Sequence, residues 1–129
     1  MIKEDYVSFE TSKLLKEKGV DFDTDQVYTS MGRAWEIDMK QFKKQFGYEV
    51  SNYIQRPTLQ MAMKWLREVH KCYTHICPFY PDMKYNEPPK WLVAVDYNGE
   101  AYPTLPKRFD SYEEAVEAAL KYTLENLIL

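Results

Sequence analysis

The sequence predicts an α+β fold in which an antiparallel sheet, made of a hairpin plus a three-stranded meander, carries helices mainly on one face. Two amphipathic helices with clear start signals begin near Thr58 and Ser111. Short runs rich in aromatic and β-branched residues lie before and between them, and one of these runs ends in the turn pair Asn98-Gly99. Since strands and helices do not alternate one for one, a doubly wound parallel sheet is not expected.

The composition is that of one globular domain. A chain of 129 residues with 45% apolar residues can bury a core without disulfides or a structural metal, so we expect a single α+β domain over residues 1–129. The chain has only two cysteines, which favours a reducing compartment. Its first residues contain no apolar signal segment, and no run approaches the roughly 20 apolar residues that a bilayer helix needs. We therefore expect a cytoplasmic protein with no membrane partner.

The first half of the chain is predicted to hold a helix, a hairpin and a short second helix. Ser8 is a favourable N-cap and Gly19 is a favourable residue just after a helix, so the first helix is expected between them. The other predictions for this half are strands over 26–30 and 33–38, a helix over 39–46 and no assignment for 48–55.

The second half is predicted as a helix, three strands and a final helix. Thr58 precedes apolar residues at helical spacing, and Ser111 with Glu114 three residues later forms a capping box. Strands are expected over 73–80, 91–97 and 100–105, and Pro103 places the last of these at a sheet edge or a bulge. The apolar stripe predicted for the first of these helices consists of Leu59, Ala62, Met63, Leu66 and Val69.

Three helical segments resemble an uncharacterised family of small proteins from gut anaerobic bacteria and from their phages and mobile elements. These segments are residues 7–19 (VSFETSKLLKEKG), 57–70 (PTLQMAMKWLREVH) and 112–122 (YEEAVEAALKY). The resemblance covers under half of the chain and implies a phage-linked or mobile-element context. It brings no catalytic or binding residues with it.

One group of side chains has the chemistry of a metal site: His70, Cys72, His75 and Cys77. Thiolates and imidazoles this close in sequence suit zinc. In an extended strand, however, Cys72 and Cys77 point to opposite faces, and so do His70 and His75. We therefore predict no metal, cofactor or catalytic residue, and a small metal- or thiol-dependent protein that uses these four residues is the second alternative.

The charge is distributed unevenly along the chain. Residues 40–71 carry seven Lys and Arg residues against two Glu residues, a net charge of +5, whereas the whole chain has a net charge of −3. A basic segment attracts the phosphates of nucleic acid, so a nucleic-acid-contacting module using residues 40–71 is the first alternative. The low total charge argues against it.

The function that the sequence favours is that of a non-enzymatic accessory protein that binds another protein. A proline- and tyrosine-rich loop follows Cys77, and an edge strand near Pro103 offers backbone groups for pairing. A homodimer formed by strand addition or helix packing is compatible with the same features. The candidate partner-binding residues are Phe79, Tyr80, Tyr85, Trp91 and Tyr102.

Overall fold

The computed structural model describes residues 2–46, 53–102 and 105–128. The contacts divide the chain into two compact units, residues 1–61 (unit 1) and residues 62–129 (unit 2). Each unit contains a three-stranded antiparallel sheet, which confirms the α+β class. The predicted hairpin and meander, however, lie in two separate sheets. The third strand of the hairpin's sheet is formed by residues 54–55, to which the sequence analysis assigned no structure.

Unit 1 has short elements joined by well-defined caps. The side chain of Ser8 accepts a hydrogen bond from the backbone N–H of Thr11 at 3.3 Å, which confirms the predicted N-cap, and Gly19 has a left-handed φ of +74°. Across the sheet, the strand at residues 26–28 lies between the strands at residues 34–36 and 54–55. Residues 47–52, within the unassigned segment, lie outside the described residues. The elements are α1 (Phe9–Glu17), β1 (Gln26–Tyr28), β2 (Ala34–Glu36), α2 (Met39–Phe46), β3 (Ile54–Gln55) and the start of α3 (Leu59–His70).

The start of the chain is held against the residues that precede α3. The backbone N–H of Val7 donates to the carbonyl of Pro57 at 2.9 Å, and the hydroxyl of Tyr28 donates to the carbonyl of Val7 at 2.5 Å. These bonds satisfy buried backbone groups of Val7, whose side chain is fully buried. Leu15, Val27 and Leu59 are further buried aliphatic residues of this unit.

The predicted start of α3 is confirmed, and its apolar stripe is one residue shorter than predicted. The side chain of Thr58 accepts a hydrogen bond from the N–H of Met61 at 3.1 Å. The stripe is buried as far as Leu66, but Val69 is 61% exposed. Val69 lies on the last turn of α3, which ends one residue later, and at the margin of the apolar stripe.

Unit 2 is built on a long hairpin and one long helix. The two eight-residue strands pair over their full length, from Cys72 opposite Tyr97 to Phe79 opposite Lys90. A three-residue strand at residues 100–102 pairs with the other side of the second one. The predicted turn is confirmed, because Asn98 and Gly99 both have the positive φ of a two-residue hairpin loop. Pro103 lies outside the described residues. The elements are the rest of α3 (residues 62–70), β4 (Cys72–Phe79), a 3₁₀ turn (Pro81–Met83), β5 (Lys90–Tyr97), β6 (Glu100–Tyr102) and α4 (Tyr112–Asn126).

The helix α4 covers one side of this sheet. The hydroxyl of Ser111 accepts from the N–H of Glu114 at 3.1 Å, which confirms the predicted N-cap. Val93 and Val95 of β5 are buried on the helix side of the sheet. Within the described residues, no helix has the length and apolar composition to cross a bilayer. The buried residues of α4 are Ala115, Val116, Ala119, Leu120, Thr123 and Leu124.

Candidate protein-binding surface

The side of the β4-β5-β6 sheet that faces away from α4 is accessible to solvent. Alternate residues of a strand point to opposite sides of the sheet, so the even-numbered residues of β4, which include the buried Cys72, point toward α4. Tyr73 on the other side is 46% exposed. We call this side the open face. Its residues are Tyr73, His75, Cys77 and Phe79 of β4 and Lys90, Leu92, Ala94 and Asp96 of β5.

The strand β4 also presents backbone groups that the sheet leaves unpaired. Trp91 exchanges two backbone hydrogen bonds with Phe109, at 2.8 and 3.0 Å, and the carbonyl of Val93 accepts from Leu105 at 2.9 Å. The odd-numbered residues of β5 therefore direct their backbone groups away from β4, and the even-numbered ones bond to it.

The pairing register then assigns the backbone groups of β4. Leu92, Ala94 and Asp96 lie opposite the odd-numbered residues of β4, which therefore use their N–H and C=O groups within the hairpin. The N–H and C=O groups of Cys72, Thr74 and Ile76 point to the other side of β4. No described strand pairs with β4 on that side, so it is a free sheet edge.

The open face carries an ordered imidazole. His75 Nε2 and Asp96 Oδ2 lie 2.8 Å apart, so the ring N–H donates to the carboxylate, although both side chains are about half exposed. Cys77 lies on the same face two residues away, and its exposed thiol forms no disulfide with Cys72. The pair therefore orients His75 on a surface open to water.

The four residues of the predicted metal-like cluster do not meet. Cys72 is fully buried on the helix side, Cys77 is exposed on the open face, and the ring of His70 packs edge-to-face on Trp65 at 4.6 Å between centroids. Burial raises the pKa of the Cys72 thiol. In the described part of the chain, no three His, Cys, Asp or Glu side chains are grouped to hold a metal ion.

Three of the predicted partner-binding residues lie at one end of the hairpin. Phe79 is the last residue of β4, and the guanidinium of Arg108 lies 4.6 Å from its ring centroid. Tyr80 and Tyr85 pack against each other with ring centroids 5.2 Å apart, and Tyr85 is 71% exposed. This end therefore presents aromatic surface next to a cation.

The other two predicted residues contribute differently. Trp91 lies on the helix side, where its ring packs edge-to-face on Tyr112 at 5.5 Å. It is half-buried and supports the packing of α4. The side chain of Tyr102 lies outside the described part of the chain.

Two charged residues at this end of unit 2, Lys90 and Asp110, are paired. Lys90 forms an ion pair with Asp110, and its ammonium group holds the pKa of the Asp110 carboxyl below its usual value. Both side chains are exposed, so the pair is a weak contributor to stability.

The basic segment of residues 40–71 is divided between the two units. Arg56, one of its cations, is half-buried, and its guanidinium lies 4.0 Å from the ring centroid of Tyr6. Lys64 lies 4.0 Å from Glu68 on the next turn of α3. These two cations therefore already have partners within their own units.

Sequence reasoning did not single out Tyr73 or Asp96 of the open face as candidate site residues. Alternation within 91–97 could have placed Asp96 opposite the helix side, but its contact with His75 depends on how β4 and β5 are aligned. The residues between these strands form a long connection with no hairpin turn signal, so the sequence alone did not fix that register.

Comparisons of the chain with protein-family models, with curated proteins and with solved structures find no match.

Proposed function

We propose that this protein is a non-enzymatic binding protein that takes up an extended segment of a partner protein by strand addition along β4. The free edge of β4 is the observation that carries the proposal. The resemblance of its helices to small phage and mobile-element proteins supports an accessory role in that setting.

The free edge of β4 is unusually well suited to pairing. It is eight residues long, whereas β6 has three residues and the strands of unit 1 have two or three. Edge strands are commonly protected from pairing by lysine or proline. Residues 72–79 contain no Lys, Arg, Asp or Glu, and their single proline, Pro78, lies next to the end.

An incoming strand would form main-chain hydrogen bonds along this edge. The N–H groups of Cys72, Thr74 and Ile76 would donate to it, and their carbonyls would accept from it. Such bonds give affinity with little regard to sequence, and side chains at every second position give specificity. Residues of the partner that share the open face would lie beside Tyr73, His75 and Phe79.

These neighbours define the chemistry of the partner segment. Aromatic and β-branched residues pair well with the exposed ring of Tyr73 across neighbouring strands. Arg67 and Lys71 are exposed where α3 leads into β4, so an acidic residue at that end of the segment is favoured. We therefore expect an extended peptide with aromatic or β-branched residues at alternate positions and one flanking Asp or Glu.

A random-peptide display selection against the full chain tests the proposal without knowledge of the natural partner. The enriched peptides are synthesised, and their Kd values are measured with the wild type, Thr74→Pro and Thr74→Val. Proline removes an N–H from the free edge but no bond between β4 and β5, and proline is tolerated on strand edges. We expect Thr74→Pro to weaken binding by about tenfold or more and Thr74→Val to change it by less than about twofold.

Circular dichroism melts of both variants establish that the fold is intact. Enriched peptides that bind the wild type and Thr74→Pro equally well, or a selection that enriches none, would overturn the proposal. A wild-type dimer that Thr74→Pro converts to monomer in sedimentation experiments would replace the partner protein by a second copy of this chain.

A further inference from the structure

Unit 1 contains a cavity of about 170 Å³ between α1, β1, β3 and the start of α2. Its walls are mainly apolar, with Leu15, Phe22, Val27 and Met39 among the lining residues. Two exposed charged residues, Lys16 and Asp21, also line it, so the cavity reaches the surface on their side.

One polar group of the cavity wall is buried without a partner. Ser12 lines the cavity and is 1% exposed, and its hydroxyl has no hydrogen-bond partner among the described residues. Ser12, Leu15 and Lys16 are three and four residues apart on α1, which places all three on the cavity side of the helix. Buried hydroxyls are normally hydrogen-bonded, so an orphan hydroxyl in a cavity wall indicates a missing partner.

Two other polar side chains at the rim, those of Gln55 and Lys16, are already engaged within the protein. The side-chain amide of Gln55 donates to Asp21 Oδ1 at 2.9 Å and to the carbonyl of Phe22 at 2.8 Å, and its oxygen accepts from the N–H of Phe22 at 2.7 Å. The ammonium group of Lys16 donates to the carbonyl of Tyr53 at 3.1 Å. The rim is therefore fixed by its own bonds, and the hydroxyl of Ser12 is left for a ligand.

We propose that this cavity binds a small monocyclic aromatic molecule with one hydroxyl group, of the size and class of phenol. A protein cavity of about 150 Å³ is large enough for benzene. The rings of Phe22 and Tyr53 and the side chains of Leu15 and Val27 surround an aromatic body, and the ligand hydroxyl pairs with that of Ser12. The site lies within unit 1, so this proposal is independent of strand addition at β4 in unit 2.

Titration of the ¹⁵N-labelled full chain with phenol and with toluene, followed by NMR, tests the site. The two ligands have nearly the same shape, and only phenol can bond to Ser12. We expect saturable shifts at the amides of α1, β1 and β3, and a phenol Kd about three- to tenfold lower than that of toluene, since a neutral hydrogen bond contributes that much. Ser12→Ala should abolish the preference for phenol and leave toluene binding unchanged.

Thr11→Val is the matched control, because Thr11 is also buried, its hydroxyl has no partner in the described part of the chain, and it does not line the cavity. It should retain the preference for phenol. Ser12→Ala replaces a buried, unbonded hydroxyl on a helix by a better helix former, so the variant should fold. Equal binding of phenol and toluene, a preference that survives Ser12→Ala, or shifts absent from these amides would overturn the proposal.

Discussion

The two units differ in how completely the helices and strands of each unit fill that unit's own interior. Unit 2 combines two eight-residue strands with a fifteen-residue helix, and Val93, Val95, Leu120 and Leu124 are each at most 2% exposed. Unit 1 uses strands of two or three residues and helices of eight and nine residues. It retains a cavity of about 170 Å³.

The difference shows how element length affects the kind of binding feature a fold can offer. A long hairpin presents a regular apolar side that a helix covers. Its exposed side chains lie on the open face, and its unpaired backbone N–H and C=O groups lie along the free edge. Short strands supply few side chains that can interdigitate. In unit 1, connecting segments therefore complete the core, and a cavity remains between them and the helices. Unit 2 therefore offers backbone groups, whereas unit 1 offers a cavity that opens to the surface beside Lys16 and Asp21.

The largest expected effect compares one buried leucine in each unit. Leu120→Ala should lower the free energy of unfolding by about 3–5 kcal/mol, because its side chain is fully buried under a well-packed helix. Leu15→Ala should cost about 1 kcal/mol less, since one side of Leu15 already faces the cavity and has fewer contacts to lose. Urea denaturation measures both. A larger loss for Leu15→Ala would contradict the difference in packing.

A second prediction concerns the two cysteines of unit 2. Cys72→Ser places a hydroxyl in a fully buried site and should cost about 1–3 kcal/mol, whereas Cys77→Ser on the exposed open face should stay within about 0.5 kcal/mol. Urea melts at neutral pH compare the two. Equal effects would mean that Cys72 is not in a dry core.

The same thiol makes stability depend on alkaline pH. Desolvation raises the pKa of Cys72 in the folded protein, and the nearby Asp96 carboxylate adds to the rise. Above the unfolded thiol pKa of about 8.5, the unfolded chain loses this proton while the folded chain keeps it, so stability falls as pH rises toward the folded pKa. The fall in the free energy of unfolding with rising pH should be shallower in Cys72→Ser and unchanged in Cys77→Ser. Urea melts between about pH 8 and about pH 10, a range that includes the unfolded thiol pKa, measure it.

The smallest expected effect compares the helix caps of the two units. Ser111 and Ser8 each accept one backbone hydrogen bond at the start of their helices, at 3.1 and 3.3 Å. Replacement by alanine should cost about 1 kcal/mol in each case, because a cap serves only the first turn whatever the helix packs against. Thermal melts check this, with Ser30→Ala as an exposed control in a turn. A much larger loss for Ser111→Ala would mean that the cap also holds α4 on its sheet.

Much of the secondary structure could be predicted because its signals are local. The caps at Ser8, Thr58 and Ser111 and the turn at Asn98-Gly99 each depend on residues within one turn of chain. The strand at residues 54–55 has no such signal, since it is too short to show an alternation. It forms because β1 offers it an edge, which is a contact between distant parts of the chain.

The candidate sites were less predictable than the elements that carry them. The sequence pointed to an aromatic partner surface after Cys77 and to an edge strand near Pro103. The free edge of β4 depends on which side of β4 pairs with β5, and the proposed ligand site depends on an unpaired hydroxyl at Ser12. The spacing of residues along one segment predicts neither which side of β4 pairs with β5 nor whether the hydroxyl of Ser12 finds a hydrogen-bond partner.

The sequence by itself determined the α+β class, the helix starts and the separation of Cys72 from Cys77. Capping residues mark where helices begin, and helical and strand periodicities fix which side of an element each residue occupies. Only the tertiary structure decided that the strands divide into two sheets, that His75 meets Asp96 and that a cavity remains beside Ser12. These features depend on strand register and on packing volume, which arise when segments far apart in the chain come together.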